Sequence, residues 1–423
     1  MAAKRIVLTA YGTLGDLHPL MAVGLALQAR GAHVTLASHP DYRPKVEQAG
    51  LSFADMGPPR DVFMGRLNLP MDAVIARMSR DLGFLYKDIL APDLRPSVDD
   101  LRPLIAAADV VIGSNLAYAA HIASALEGKP FVSASLMPGV FLSAWSPPFT
   151  PEAPFITAPR SALARGYNQL LLQGANLRLA SALKPLRKVY ADYGLPAPTG
   201  FSAPSEVMTL ALYSPLLGGL QPDYPPRTCI TGTPLYDSGD GHAPQLPEAV
   251  QTFLNTGPPP LVFSLGSVAV FNGTNFYRQA VRASAELRQR CVLLTGPESP
   301  LLNEDFGPEV CVTAYAPHSL LFPKARAVIH HGGIGSTAQA LRSGRPILTT
   351  PVFADQFDNA HRIERLGAGQ TLWFKHWSAQ RAAKALKRLL AAPDIARRCA
   401  EIAPIITAEN GAARAAEHIL SLT

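Results

Sequence analysis

The stretch Ala327-Val328-Ile329-His330-His331-Gly332-Gly333-Ile334-Gly335-Ser336-Thr337-Ala338-Gln339-Ala340-Leu341 decides the fold. An apolar run of β character enters a glycine-rich turn, and a helical period leaves it. This local design presents backbone N–H groups and a helix dipole to an anion. Further on, the strand-like Pro346-Ile347-Leu348-Thr349-Thr350 leads into a polar cluster, Asp355-Gln356-Phe357-Asp358-Asn359. A loop suited to a diphosphate, followed by one rich in groups that bind hydroxyls, is the chemistry a nucleotide-sugar site requires.

The same grammar extends in both directions. Leu261-Val262-Phe263-Ser264-Leu265 and Cys291-Val292-Leu293-Leu294 read as buried strands, with a helical period over Phe276 to Leu287 between them. The first half opens on Ile6-Val7-Leu8, continues with the helical Leu20 to Ala29, stops at Gly31 and resumes as a strand over His33 to Ala37. Val110-Val111-Ile112 and Phe131-Val132-Ser133 flank the helical Ala117 to Leu126. Strands alternating with helices predict parallel sheets covered on both faces. Between the halves lies linker chemistry, with Gly218-Gly219, Pro222, Pro225-Pro226, Gly232, Pro234, Gly239, Gly241 and Pro244. The expected division is a first domain over 1–220, a linker over 221–245, a second domain over 246–405 and a C-terminal segment over 406–423. The fold class is α/β, with two Rossmann-like doubly wound domains facing a cleft and ligands beyond the carboxyl ends of the strands.

A chain of 423 residues, 48% apolar and 17% charged, is expected to form a well-packed globular protein of two domains. No apolar run approaches the roughly 18 to 20 residues of a membrane span. The N-terminus reads as a buried strand, not a signal peptide. Cys229, Cys291, Cys311 and Cys399 have neither metal-ligand spacing nor a disulfide framework. A cytoplasmic protein is expected. The net charge of +6 is unevenly placed: Ala153 to Ala191 holds no acidic residue, yet it carries Arg160, Arg165, Arg178, Lys184, Arg187 and Lys188. Two readings stand, a solvated helix face or peripheral docking on an anionic membrane surface or acidic substrate. Nucleic acid is not an expected partner, since no basic–aromatic interleaving accompanies the charge. A dehydrogenase is disfavoured because Gly12-Thr13-Leu14-Gly15-Asp16 lacks the Gly-x-Gly-x-x-Gly pattern after the first strand.

Three blocks carry a resemblance: Gly12-Thr13-Leu14-Gly15-Asp16-Leu17-His18-Pro19, Phe263-Ser264-Leu265-Gly266-Ser267, and Tyr315 through Asn359. Over nearly its whole length the chain resembles the family 1-type nucleotide-sugar glycosyltransferases of GT-B architecture. It looks most like the branch that holds the bacterial rhamnolipid rhamnosyltransferase and the UDP-glycosyltransferases. The resemblance implies an inverting, metal-independent enzyme that moves rhamnose or glucose from a dTDP- or UDP-sugar to a hydroxyl of a lipophilic acceptor, such as a hydroxy-fatty acyl chain, a polyphenol or a sterol. The nucleotide sugar is a co-substrate, and no further cofactor is implied. No Asp-x-Asp follows a strand, and His330 and His331, adjacent on a strand, point to opposite faces and cannot readily share an ion. A non-catalytic nucleotide-sugar-binding auxiliary protein is the alternative; it would lack the base or the donor loop, and both are intact here.

Carried onto this chain, the resemblance places the donor at Gly15, Ser267, Tyr315, Ala316, His318, His331, Gly333, Gly335, Ser336, Thr337, Gln339, Asp355 and Gln356. His331 is implied to bond a donor phosphate, with N–H and hydroxyl groups of Gly335, Ser336 and Thr337 on the same diphosphate. Tyr315 stands where much of the family stacks a tryptophan on the base, flanked by Ala316 and His318. Asp355 and Gln356 face the sugar hydroxyls, unless Asp355 serves only as a helix cap. Gln339 replaces a glutamate that clamps both ribose hydroxyls in many UDP-sugar enzymes, which suits a deoxyribose donor. Asp16 is implied as general base with His18 as its substitute, and the competing role for Asp16 is to cap a helix beginning near Pro19. Ser114 takes the place of the aspartate that orients a histidine base in the plant enzymes. Phe141, Trp145, Phe149 and the stretch Val62 to Leu85 either line an apolar acceptor cavity or form core. Arg414 to Leu420 fits the family's returning C-terminal helix.

Overall fold

The computed structural model describes residues 3–78, 80–237, 244–266 and 273–422. The chain divides into two compact units, Met1–Tyr236 together with Asn410–Thr423, and Asp237–Glu409. Among the described residues no helix is long and apolar enough to cross a membrane.

The first unit is built on a seven-stranded sheet in the order β3-β2-β1-β4-β5-β6-β7. Its strands are β1 (Arg5–Thr9), β2 (His33–Ser38), β3 (Ser52–Asp55), β4 (Val110–Gly113), β5 (Phe131–Ser135), β6 (Met208–Ala211) and β7 (Thr228–Ile230). Every pairing is parallel, with Val7 opposite Thr35 on one side and Val111 on the other. Strand side chains alternate between faces, so consecutive apolar residues need cover on both. Val7 and Val111 pack with Leu101 and Ile105 of the helix Ala91–Ala106 and with Ile122 of the helix Tyr118–Leu126. Leu8 meets the opposite layer, where the helix Leu14–Gln28 brings Gly24 so close that an added Cβ would lie 3.1 Å from the Leu8 methyl.

The span 221–245, expected as linker, carries β7, so it contributes the last strand of this sheet before the chain passes to the second unit at Tyr236 and Asp237. The closing helix Gly411–Leu420 packs on Leu14–Gln28 within the first unit. Gly411 lies directly against the backbone of Gly232, where any side chain would overlap, and Arg30 pairs with Glu417 at 3.3 Å.

The second unit holds a six-stranded sheet in the order β10-β9-β8-β11-β12-β13. These are β8 (Leu261–Ser264), β9 (Cys291–Leu294), β10 (Val310–Thr313), β11 (Ala327–His330), β12 (Ile347–Thr349) and β13 (Gly369–Thr371), parallel throughout. Phe263, Ile329 and Leu348 pack with Phe276 of the helix Gly273–Glu286 and with Leu386 and Leu389 of Ala379–Leu390. Full burial of side chains this size contributes about 1.5 to 3 kcal/mol each. Both units are therefore Rossmann-like, doubly wound α/β domains.

In each sheet the winding reverses once, between β1 and β4 in the first unit and between β8 and β11 in the second. Loops leaving such strand pairs diverge and open a crevice at the carboxyl ends. Asp16 follows β1, Ser114 follows β4, Gly266 follows β8 and His331 follows β11. The fold delivers the sequence motifs to its two switch points.

Candidate active site

In the first unit the helix after β1 begins at Leu14, not near Pro19, and Thr13 is its cap. Asp16 occupies the third helical position and closes a capping box. Its Oδ2 accepts the Thr13 N–H at 2.8 Å and lies 3.4 Å from the Thr13 hydroxyl, which itself accepts the Gly15 N–H at 3.2 Å. The carboxylate folds back over Gly12, where φ is +134° and an added Cβ would overlap it. Glycine is thus required here for both backbone and space. Burial pushes the Asp16 carboxyl up to about 6, against the Thr13 hydrogen bonds, which pull it down. Pro19 sits inside the helix and has no N–H, so the Gly15 carbonyl loses its ordinary helical donor.

His18 lies two residues on, its ring 5.2 Å from that of Tyr236. Ser114 does not reach for the carboxylate. Its hydroxyl accepts the Tyr11 N–H at 3.4 Å and its own N–H donates to the Thr9 carbonyl at 3.0 Å, which braces the loop that bears Asp16. The Tyr42 hydroxyl holds the same loop from the other side, donating to the Gly12 carbonyl at 3.2 Å.

The proposed acceptor residues divide. Phe141 packs on Tyr224 with ring centroids 4.2 Å apart. Trp145 is exposed on one face and lies 4.3 Å beneath the Arg165 guanidinium on the other. Asp223 fixes this loop, accepting the Ser143 hydroxyl at 2.6 Å and the Ala144 N–H at 2.7 Å. Phe149 is half-buried. Within the stretch Val62 to Leu85 only Val74, Ile75 and Phe84 are buried among the described residues, while Val62 and Leu82 are exposed. Val74 and Phe84 form a small cluster with Ile89, against which the partly buried Phe63, Met64, Leu67 and Met71 pack. Beside it Arg66 makes a two-pronged pair with the buried Asp93, one bond at 2.7 Å.

In the second unit the helix Ile334–Arg342 starts at Gly333 with no side chain capping it. Its first internal bond runs from the Thr337 N–H to the Gly333 carbonyl, so the Ile334, Gly335 and Ser336 N–H groups precede the ladder and point out of its N-terminus. Thr337 is fully buried, and its hydroxyl donates to the Gly332 carbonyl at 3.4 Å, which braces the turn.

The His331 ring lies between Gly266 and Gly333, and a Cβ on either would overlap it. Burial and the neighbouring His318 hold its imidazole down at about 4, against the pull of the Ser264 backbone. At neutral pH it is therefore a neutral imidazole, with one N–H and one lone-pair nitrogen. His330, the other member of the pair, points into the core and accepts the Gly332 N–H on Nδ1 at 3.0 Å. Ser267 lies outside the described residues.

Asn359 joins this loop to the next. Its amide donates to the Gly332 carbonyl at 2.9 Å and to Asp355 Oδ2 at 2.8 Å. Asp355 precedes the helix Gln356–Arg365 but makes no capping bond, so its carboxylate is not a cap. Gln356 is engaged through its oxygen: its Oε1 accepts the Val352 and Phe353 N–H groups at 2.9 and 3.2 Å. Tyr315 follows the edge strand β10 with its ring half-exposed, Ala316 is buried beside it, and His318 stacks on Phe322 at 4.3 Å. Gln339 is buried and donates to Asp237 Oδ1 at 3.0 Å, while Arg342 lies 3.8 Å from the same carboxylate. Asp237 and Asn359 are the contributors that residue-by-residue reading missed. Only the separation of Asp355 and Asn359 by one helical turn signalled the second.

Residues 6–83 match the glycosyltransferase family 28 N-terminal domain, and residues 286–420 match the C-terminal domain of the erythromycin biosynthesis protein CIII-like family. The chain is a glycosyltransferase with the GT-B fold. Among its relatives is the O-mycaminosyltylonolide 6-deoxyallosyltransferase of Streptomyces fradiae, 29% identical over 424 residues, covering 96% of this chain and 94% of that one. The sterol 3-beta-glucosyltransferase of Candida albicans is 28% identical over 439 residues, covering 98% of this enzyme but 27% of that much longer protein. The crystal structure of glycosyltransferase VinC in complex with dTDP shares the fold, with a TM-score of 0.64 at 22% identity, over 98% of this chain and 99% of that one.

Proposed function

We propose that this glycosyltransferase moves a deoxyhexose or hexose, rhamnose or glucose, from a dTDP- or UDP-sugar to a hydroxyl of a lipophilic acceptor, with inversion and with Asp16 as general base. The observation that carries the reading is the Asp16 carboxyl, held at a switch point and raised to about 6 by burial. A base whose pKa lies just below the working pH is ionised yet still basic enough to take a proton.

In the step itself the acceptor oxygen attacks the anomeric carbon and its proton passes to Asp16. The bond from that carbon to the diphosphate oxygen breaks, and the nucleoside diphosphate leaves with the electron pair. The Gly335 and Ser336 N–H groups and the His331 imidazole take the growing negative charge, where fixed dipoles in a dry site act most strongly. Asp355 accepts from the sugar hydroxyls, and Gln356 offers its remaining amide N–H. Tyr315 supplies a stacking face for the base.

Two features favour a thymidine nucleotide. Gln339 brings no negative charge and has its N–H engaged by Asp237, so no carboxylate at this position clamps a ribose. The neighbour VinC was solved with dTDP. An apolar acceptor is supported by the tylonolide and sterol in the names of the two relatives, and by the partly exposed aromatic side chains Trp145 and Phe149 in the first unit.

Thermal unfolding with dTDP and UDP tests the donor half. A ligand at a hundred times its Kd stabilises the folded state by about 2.7 kcal/mol. A rise in Tm with dTDP, absent in His331→Ala, is expected; no shift with either nucleotide overturns the donor assignment.

A further inference from the structure

The helix Ala162–Ala182 is apolar on two opposite sides. One side is fixed to the first unit: Leu172 and Leu179 are buried, and the buried Asn168 donates to the Ala144 and Thr157 carbonyls at 3.1 and 2.9 Å. At 3.6 residues per turn, Leu163, Tyr167, Leu170 and Leu177 fall on an arc of about 80° roughly opposite those anchors. They are 86%, 51%, 66% and 74% exposed, and Phe155 just upstream is 59% exposed. Gly166 and Gly174 add no side chain to interrupt the ridge. A helix anchored this firmly cannot roll its outer leucines inward, and an apolar stripe of this length on an ordinary surface marks a contact made with something else.

Charge chooses the occupant. From Ala153 to Ala191 there is no carboxylate, and the exposed Arg160 precedes the helix, Arg178 lies on it, and Lys184 and Lys188 lie on the helix that follows. A second copy of the chain would set two such basic faces together with nothing acidic to offset them. An anionic lipid surface matches both properties at once: the leucines and Tyr167 enter the headgroup–acyl boundary while the arginines and lysines meet lipid phosphates. We propose that the Ala162–Ala182 face is a docking surface for membranes rich in anionic lipid. The inference stands apart from the catalytic reading, since binding is observed without substrate.

Cosedimentation with vesicles tests it, comparing phosphatidylcholine alone with the same lipid carrying one part in three of phosphatidylglycerol. The full chain should bind the anionic vesicles at least about tenfold more tightly, and lose that binding as salt screens the surface. Leu170→Gln with Leu177→Gln takes two of the four apolar residues out of the stripe, and Arg178→Gln with Lys184→Gln and Lys188→Gln removes charge. Both sets lie on exposed positions, so their Tm values and turnover of a water-soluble acceptor should match the parent, while vesicle binding falls about tenfold or more in each. Absence of binding at low salt overturns the proposal, as does binding left intact by the leucine changes. Sedimentation velocity supplies the other outcome: a dimer of the parent chain that the leucine changes convert to monomer would show that a second copy covers the stripe.

Discussion

Replacing Asp16 with asparagine separates two jobs that the structure gives one side chain. The carboxylate closes a capping box through Thr13 and carries the proposed base. Asparagine keeps an oxygen that accepts the Thr13 N–H but cannot take a proton at neutral pH. Loss of a general base costs on the order of 10² to 10⁴ in rate, so kcat should fall by that factor with the donor Kd unchanged. The pH profile gives a second signature. With a carboxyl at about 6, roughly nine in ten are protonated at pH 5 and roughly one in ten at pH 7, so kcat/KM should rise through pH 6 in the parent and lose that limb in the variant. Stability moves the other way. A carboxyl raised from 3.8 to about 6 binds protons more tightly in the folded state, so its ionised form opposes folding above pH 6 by up to about 3 kcal/mol and the opposition vanishes below pH 3.8. Asp16→Asn should therefore unfold at a higher temperature than the parent at pH 8 and at the same temperature near pH 3.8. Asp16→Ala forfeits the capping box as well, at about 1 kcal/mol. Normal turnover by Asp16→Asn, with an inactive His18→Ala, would move the base to His18 and refute the reasoning.

The second unit yields three further expectations. His331→Ala removes a neutral donor from the leaving diphosphate and should cost about 2 to 4 kcal/mol of transition-state stabilisation, read as a fall in kcat at saturating donor with an unchanged circular dichroism spectrum. UDP- and dTDP-donors of the same sugar should give kcat/KM values within about tenfold of each other, because Gln339 carries no charge to clamp a ribose; a hundredfold preference for UDP would show that another group does so. Below pH 6.5 the unfolded chain takes up protons that His318 and His331, both held down at about 4, refuse in the folded state. Stability should thus fall between pH 6.5 and 4, by up to about 3 kcal/mol per histidine, and more shallowly in His331→Ala, as thermal melts across that range would record.

The strands that the sequence made legible are central ones. Ile6–Leu8, Val110–Ile112, Leu261–Phe263 and Ala327–Ile329 lie inside their sheets, are covered on both faces, and read as unbroken apolar runs. The strands that escaped notice include all four edges: β3 and β7 in the first sheet, β10 and β13 in the second. An edge is paired and covered less completely, so Ser52–Asp55 and Gly369–Thr371 have little reason to be apolar. Thr228–Ile230 is further hidden among prolines that suit a linker equally well. Only Met208–Ala211, buried and next to an edge, was missed without that excuse.

The candidate site divides along a different line. Which residues gather at the switch points is set by chain order, so Asp16, His331 and Asp355 were legible from motifs and spacing. Which of their atoms remain available is set by backbone groups far away in sequence, and no local pattern records it. The Gly332 carbonyl takes both the Thr337 hydroxyl and the Asn359 amide, which turns the first of these inward and makes the second a strut between two loops. Gln356 holds the Val352 and Phe353 N–H groups with its side-chain oxygen, which fixes the loop before the helix. Asp237, in a segment that reads as linker, reaches Gln339 across 102 positions of sequence. These bonds fix the loops before a donor arrives. On the proposed reading, a nucleotide diphosphate would meet an uncapped helix end and a neutral imidazole already in position, and little reorganisation would oppose the growth of charge on its leaving oxygen.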